Sequence, residues 1–241
     1  MVLLGKIMSV GTVPKIHAQI TNAKSFHSSR LKGKVAIVTA STDGIGYAIA
    51  KRLGDEGASV IISSRKEDNV KKATENLRKD GINAEGLVCH VADAEHRKRL
   101  FEFAKSKYGG IDILVSNAAV NPAVSPVLET DEKVWDKIFE PLGPYSISKT
   151  TLLGLTKAIA YEVTHENIRV NCVAPGIVAT KFASAITTSD MAAEKSLSIV
   201  PMKRFGKPSE IASAVAFLVS EDASYMTGET LVVAGGTYAH L

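Results

Sequence analysis

The chain of 241 residues is 45% hydrophobic and 22% charged, the size and composition of one large globular domain rather than a disordered segment. Its net charge of +4 is confined to one end: Lys6, Lys15, Lys24, Arg30 and Lys32 precede every acidic residue, so from Gly33 onward 24 basic side chains are set against 25 acidic ones. That balance excludes a basic nucleic-acid-binding stripe on the folded part. No run of about 18 apolar residues offers a membrane span, and Cys89 and Cys172 have neither disulfide nor metal-ligand spacing, so no metal is assigned.

Residues 1–31 read as a leader or a disordered tail; their acid-free, sparsely basic, Ser/Thr-containing composition fits a mitochondrial transit peptide. A single domain is expected over 32–241. Its first strand is a β-branched run over 35–40, followed by the turn Ser41-Thr42-Asp43-Gly44-Ile45-Gly46 and a helix from Tyr47. The pattern repeats with a strand over 59–64, a helix over 67–79, a strand over 85–91, a helix over 94–107 and a strand over 111–116. After the prolines at 122, 126, 141 and 144, a helix runs from Tyr145 to about His165. A strand over 168–174, a helix over 208–218 and a last strand over 230–233 follow. Alternation of this kind means a parallel sheet. Near-continuous apolar strands such as Val60-Ile61-Ile62 and Ile113-Leu114-Val115 predict helices on both faces, a doubly wound α/β, Rossmann-type architecture.

A glycine turn between the first strand and first helix of such a sheet lets backbone amides approach a pyrophosphate. Gly44 and Gly46 supply it here, although Ala40 stands where one more glycine is expected. The second strand ends Ser63-Ser64-Arg65-Lys66 with no acid before Glu67, so Ser64 and Arg65 read as a clasp for a 2′-phosphate and the cofactor is expected to be NADP(H). Ser116-Asn117-Ala118-Ala119 closes the fourth strand with small residues where a ligand crosses the sheet, and Pro175-Gly176 opens a small-polar loop through Thr180. Tyr145 and Lys149, four apart on a helix, share a face, and a cation there lowers a phenol's pKa for acid/base work.

Taken together, Thr39 to Gly46, Asn117-Ala118-Ala119, Tyr145-x-x-x-Lys149 and Pro175-Gly176 resemble the short-chain dehydrogenase/reductase family over nearly all of residues 32–238. Details such as Ala40, Ser64-Arg65 and the terminal Ala239-His240-Leu241 are similar to the family's peroxisomal, NADP-dependent carbonyl and retinal reductases. The resemblance implies Tyr145 as general acid and Lys149 as its partner and a ligand of the nicotinamide ribose. It further implies that Thr39, Ser41, Thr42, Asp43, Gly44, Ile45, Gly46, Ser64, Arg65, Val91, Asn117, Ala118, Ala119, Pro175, Gly176, Ile177 and Thr180 bind NADP(H). His90 takes the adenine-contacting place where the family often has Asp. The implied substrate is a small lipophilic carbonyl or alcohol, and a homo-oligomer is expected if the chain folds. The tail tripeptide resembles a peroxisomal address.

One departure alters the expectation. The family carries a catalytic Ser on a strand shortly before the Tyr, whereas residues 120–144 leave only 25 positions, four of them proline, between the fourth strand and the Tyr helix. A helix can start over 130–139, capped by Thr130 or Asp131, but no apolar strand follows it. A crossover unit needs roughly 30 residues or more. Ser125, Ser146 and Ser148 are not credible substitutes for the missing Ser. One helix-plus-central-strand unit is therefore expected to be absent, with the junction near Glu140-Pro141. Three outcomes stand open: a carbonyl reductase, a catalytically silent member that binds nucleotide or pairs with full-length siblings, and a chain that never folds stably.

Overall fold

The computed structural model describes residues 29–119, 142–187 and 190–237, and of 142–148, 185 and 186 the backbone alone. The expected leader through residue 28, the expected helix over 130–139, Ser125, and the Ala239-His240-Leu241 tail lie outside the described residues.

The first strand, β1 (Val35–Val38), is buried at all four positions. Because successive side chains alternate, Ala36 and Val38 enter one apolar cluster while Val35 and Ile37 enter another on the opposite face. The helix α1 (Gly44–Asp55) buries Gly46, Ile49, Ala50 and Leu53, a spacing that makes one stripe. It starts three residues before the expected Tyr47, because the Asp43 carboxylate accepts from the Gly44 N–H at 2.8 Å and caps it there. Next come β2 (Ser59–Ser64), α2 (Glu67–Lys79) and β3 (Ala84–Val88). The third strand stops three residues before the expected Val91, since the His90 N–H turns to His96 Nδ1 at 3.1 Å and the Ala92 N–H to His90 Nδ1 at 3.2 Å. The helix α3 (Ala94–Tyr108) ends on Gly109 in the left-handed region, φ 83°, and β4 (Ile113–Val115) follows.

Past residue 141, α4 (Leu142–Val163) carries Tyr145 in its first turn and Lys149 one turn on. The strand β5 (Cys172–Pro175) begins four residues later than expected. Before it, Arg169 donates to the Met226 and Ser220 carbonyls, and the Val170 N–H donates to Thr227 Oγ1, so 168–171 are held by a loop rather than by a strand. Two short helices, α5 (Ser184–Thr187) and α6 (Asp190–Ser198), lead to α7 (Pro208–Val219) and β6 (Thr230–Val233).

All strands are parallel, but they form two sheets: β3-β2-β1-β4 and β5-β6. Among the described residues β4 pairs only with β1 and β5 only with β6. Among the described residues the pairing breaks between β4 and β5; residues 120–141, where the expected missing unit falls, lie outside them. What spans the break is a helical layer: Ile49, Ala50 and Leu53 of α1 and Ala212, Val215 and Ala216 of α7 share one cluster with Ile113 of β4, and Val173 of β5 packs against it. The other face is thinner, Leu100 and Ala104 of α3 covering Val35, Ile37 and Ile61. There Leu114, in mid-strand, is 52% exposed, far from the burial expected of a central parallel strand.

Two residues on the leader side of the expected boundary at residue 32 are tied to the body. Leu31 is 1% exposed and belongs to the core. Arg30 grips the buried Glu56 carboxylate through bonds of 3.0 and 2.7 Å and reaches Asp222 at 2.7 Å. Arg52 binds the same carboxylate at 2.6 Å.

Candidate functional site

Apart from Tyr145 and Lys149 on α4, the residues proposed for the site lie at the C-terminal ends of the parallel strands, in the loops that leave them or in the first turn of α1, the edge where open α/β sheets bind ligands. The turn after β1 is built by inward-facing hydroxyls. Thr39, 8% exposed, donates its N–H to the Val115 carbonyl at 3.0 Å, while its Oγ1 accepts from the N–H groups of Asn117 and Ala118 at 3.0 and 3.3 Å. Ser41 Oγ donates to the Val38 carbonyl at 2.5 Å and accepts the Ser63 N–H at 3.1 Å, tying the turn to β2. Asn117 Nδ2 donates to the Thr39 and Ala40 carbonyls at 3.1 and 3.0 Å. Thr39, Ser41 and Asn117 therefore hold the turn in shape with their side chains, leaving Thr42, Asp43 and Gly44 as its outward rim while Ile45 packs against the core.

Two positions show why this turn is made of small residues. Gly44 has φ 57°, and Ala40, with φ 49°, adopts a backbone ordinarily left to glycine. A Cβ on Gly46 would lie 2.4 Å from Asn117 Nδ2, 2.5 Å from the Ala40 carbonyl oxygen and 2.9 Å from Ser41 Cα. An alanine in the left-handed region costs ~1–2 kcal/mol, against ~0.5–1 kcal/mol for the added chain freedom of glycine. Ala40→Gly is therefore expected to stabilise the protein by ~0.5–1 kcal/mol, read as a thermal midpoint raised by ~2–3 °C.

The loop after β5 closes the other side. Gly176 passes so near β6 that a Cβ there would sit 2.8 Å from Ala234 Cα, and its N–H donates to the Val233 carbonyl at 3.0 Å. Ile177 and Ala179 exchange backbone bonds with Gly206 at 2.9 and 3.0 Å. The loop is thereby aimed at α1: the Thr180 methyl comes within 3.5 Å of the space a Gly44 Cβ would fill, and Lys181 Nζ meets Asp43 Oδ2 at 2.6 Å. An open cleft of about 580 Å³ lies here, walled by Asp43, Gly44, Tyr47, Thr180, Lys181 and Ser184 among others. The Lys181 ammonium and the Gly44 N–H hold the Asp43 carboxyl below its ordinary pKa against the opposing effect of desolvation.

Lys149 is half-buried, and burial pushes its ammonium pKa down, opposed by the Cys172 thiol of β5. Burial likewise pushes the Cys172 thiol up, against the influence of Thr156, Lys149 and Thr230. Tyr145 lies one turn before Lys149 on α4, but its side chain is outside the described part, as are those of Ser146 and Ser148. Arg65, Val91 and Ala119 sit on the strand-end loops; Arg65 is exposed, and none of the ion pairs among the described residues uses it. The sequence reading missed Tyr47, which stands on α1 just past the turn, and Lys181, which only the folding of the 176–187 loop onto α1 brings to it. Among the described residues no group of His, Cys, Asp or Glu is placed to hold a metal ion, and no helix is long and apolar enough to cross a membrane.

The turn fits a dinucleotide: Gly46 leaves no room for a Cβ against the turn itself, Gly44 takes the left-handed backbone, and the amides at the start of α1 face an open cleft.

Comparisons with known proteins agree with this arrangement. A short chain dehydrogenase profile matches residues 34–141 and an enoyl-(acyl carrier protein) reductase profile matches 140–238, the two meeting at the expected junction. Dehydrogenase/reductase SDR family member 4 of Bos taurus is 45% identical over 249 aligned positions, covering 88% of this chain and 89% of the relative. Its Mus musculus counterpart is 40% identical over 98% of this chain and 99% of its own length. Tropinone reductase-like 3 of Erythroxylum coca is 46% identical over 91% and 98%. Since 88% of 241 residues is about 212, about 37 of the 249 positions aligned to the bovine relative have no counterpart in this chain. L-Sorbose reductase from Gluconobacter frateurii, complexed with NADPH and L-sorbose, superposes with a TM-score of 0.77 at 29% identity, covering 89% of this chain and 100% of that one. A variant of actinorhodin polyketide ketoreductase with NADPH gives 0.78 at 28%, covering 86% and 98%. With its Rossmann-type parallel sheet, its glycine turn locked by Asn117 and this degree of identity over most of its length, the chain belongs to the short-chain dehydrogenase/reductase family of oxidoreductases.

Proposed function

We propose that this protein is an NADP(H)-dependent reductase of lipophilic aldehydes and ketones, retinal-like carbonyls included, with Tyr145 as general acid and Lys149 as its partner. The observation that carries the reading is the convergence of the Thr39–Gly46 turn, Asn117 and Thr180 at one strand edge, with Lys149 half-buried one helical turn past Tyr145. The bound dinucleotide would supply a hydride. Gly44, Ile45 and Gly46 would take its pyrophosphate on the N-terminal amides of α1. Ser64 and Arg65, with no acid at the end of β2, favour a 2′-phosphate and hence NADP(H) over NAD(H). Val91, Ala118, Ala119, Pro175, Gly176 and Ile177 would line the remainder of the cofactor groove. Tyr145 would hold the proton destined for the carbonyl oxygen. Lys149, whose desolvated ammonium gains more from an anionic neighbour than an exposed one does, would lower the phenol's pKa and orient the ribose. Phe182, Met191, Ile199 and Met202, exposed on the segment of short helices and turns that follows Thr180, support a greasy substrate.

A second reading, a nucleotide-binding but catalytically silent member, is favoured by the break between β4 and β5, where the family's catalytic serine strand is expected. NADPH titration followed by an NADPH-oxidation assay with a panel of lipophilic aldehydes separates the two. Turnover that falls ~10²-fold or more in Tyr145→Phe supports the reductase. Tight NADPH binding with no turnover in the unaltered protein leaves the silent reading. A homo-oligomer and delivery to peroxisomes through Ala239-His240-Leu241, or to mitochondria through the basic leader, complete the proposal; removing either terminus and imaging the protein in cells tests the latter.

A further inference from the structure

Lys181 stands outside the motifs of the cofactor site, yet its ammonium is 2.6 Å from Asp43 Oδ2, across 138 residues of sequence. Asp43 meanwhile caps α1 through its other oxygen. Both partners are exposed, Lys181 at 88% and Asp43 at 59% of the side chain. A pair so exposed contributes little to stability, too little to explain as a strut for a loop already pinned by Gly206 and packed on Gly44. Its position is more telling. An anionic carboxylate occupies the helix N-terminus where the diphosphate of a dinucleotide would be drawn, and a cation on a flexible four-carbon stem sits beside it at the mouth of the cleft.

We propose that Lys181 is a binding residue for the cofactor's diphosphate, resting on Asp43 until the ligand arrives and then exchanging a carboxylate for a phosphate oxygen. The inference rests on the NADP(H) reading above. It makes Asp43 a competitor for the same cation, a relation a purely structural pair does not have.

The test is NADPH affinity of the full chain, measured by quenching and energy transfer of its fluorescence at several salt concentrations. The variants are Lys181→Met, Lys181→Arg and Asp43→Asn. Losing a charge-assisted bond in Lys181→Met is expected to weaken binding about tenfold and to flatten its salt dependence. Lys181→Arg is expected to stay within about threefold, because the charge is kept. Asp43→Asn preserves the helix cap, Asn being as good a cap as Asp, and frees the lysine, so binding is expected to tighten. Equal weakening in Lys181→Met and Asp43→Asn would mean a loop latch and overturn the proposal. So would Lys181→Met binding within twofold of the unaltered protein. Failure of the unaltered protein to bind NADPH would instead overturn the reductase reading, and this inference with it.

Discussion

Inserting between Glu140 and Pro141 the roughly three dozen residues that the relatives carry and this chain lacks is expected to raise carbonyl turnover by ~10² to 10³. The physical ground lies in the break in the sheet. Among the described residues β4 has a partner on one side only, as has β5, and Leu114 in the middle of β4 is half in solvent. A parallel strand set between β4 and β5 would satisfy edge N–H and C=O groups on both sides, and the helix that comes with it would cover the face from which that leucine projects. By the family resemblance the same strand carries the serine that donates to the developing oxyanion, and removing one such donor typically costs ~10² to 10³ in rate. The chimera is therefore expected to unfold at higher temperature, with a sharper transition, than the present chain. Steady-state kinetics with a lipophilic aldehyde and calorimetry on both proteins decide the matter. A chimera that folds as a more stable protein yet turns over no faster would show that the missing unit limits structure alone and that chemistry fails elsewhere.

The second large effect is expected at Gly46. Alanine there drives a methyl group to 2.4 Å from Asn117 Nδ2 and 2.5 Å from the Ala40 carbonyl oxygen. The amide can swing away only by giving up its bonds to Thr39 and Ala40, at ~0.5–1.5 kcal/mol each. The Ala40 carbonyl and Ser41 Cα are backbone and yield only by deforming the turn, an overpacking cost of ~1–3 kcal/mol. Gly46→Ala is therefore expected to destabilise the protein by ~3 kcal/mol, a large share of the ~5–15 kcal/mol of a typical domain, and to abolish dinucleotide binding. Gly154 provides the control, since it lies in α4 with nothing within 4 Å of an added Cβ. There helix propensity decides, and Gly154→Ala is expected to stabilise by up to ~1 kcal/mol. Urea unfolding of the two variants side by side tests the pair. Equal midpoints would mean that the contacts at Gly46 relax at little cost.

Much of the fold was legible because its signals are local. The run 59–64, the amphipathic stretch 67–79 and the last strand 230–233 have the bounds that periodicity predicted. Errors fell at ends where a distant or side-chain partner took over the backbone. His90 and His96 cut β3 short, Arg169 and Val170 hold to the 220–227 loop instead of extending β5, and the Asp43 cap moved the start of α1 back to Gly44. The site was legible as a set of motif residues, while the directions of their side chains were not. Asn117, expected to line the cofactor channel, uses its amide to lock the turn.

By itself the sequence determined the order of strands and helices, the glycine turn with alanine in a glycine's place, the Tyr145–Lys149 spacing and the shortness of the link between β4 and α4. Each of these is a matter of neighbours along the chain, where steric and periodic rules act directly. Tertiary structure alone decided that the strands of the described residues divide into two sheets joined through α1 and α7, that Leu31 is core, and that Lys181 meets Asp43 at the cofactor turn. Those facts depend on which surfaces remain to be buried once the elements exist, and on distant partners such as Lys181 and Asp43, 138 residues apart, which no local pattern encodes.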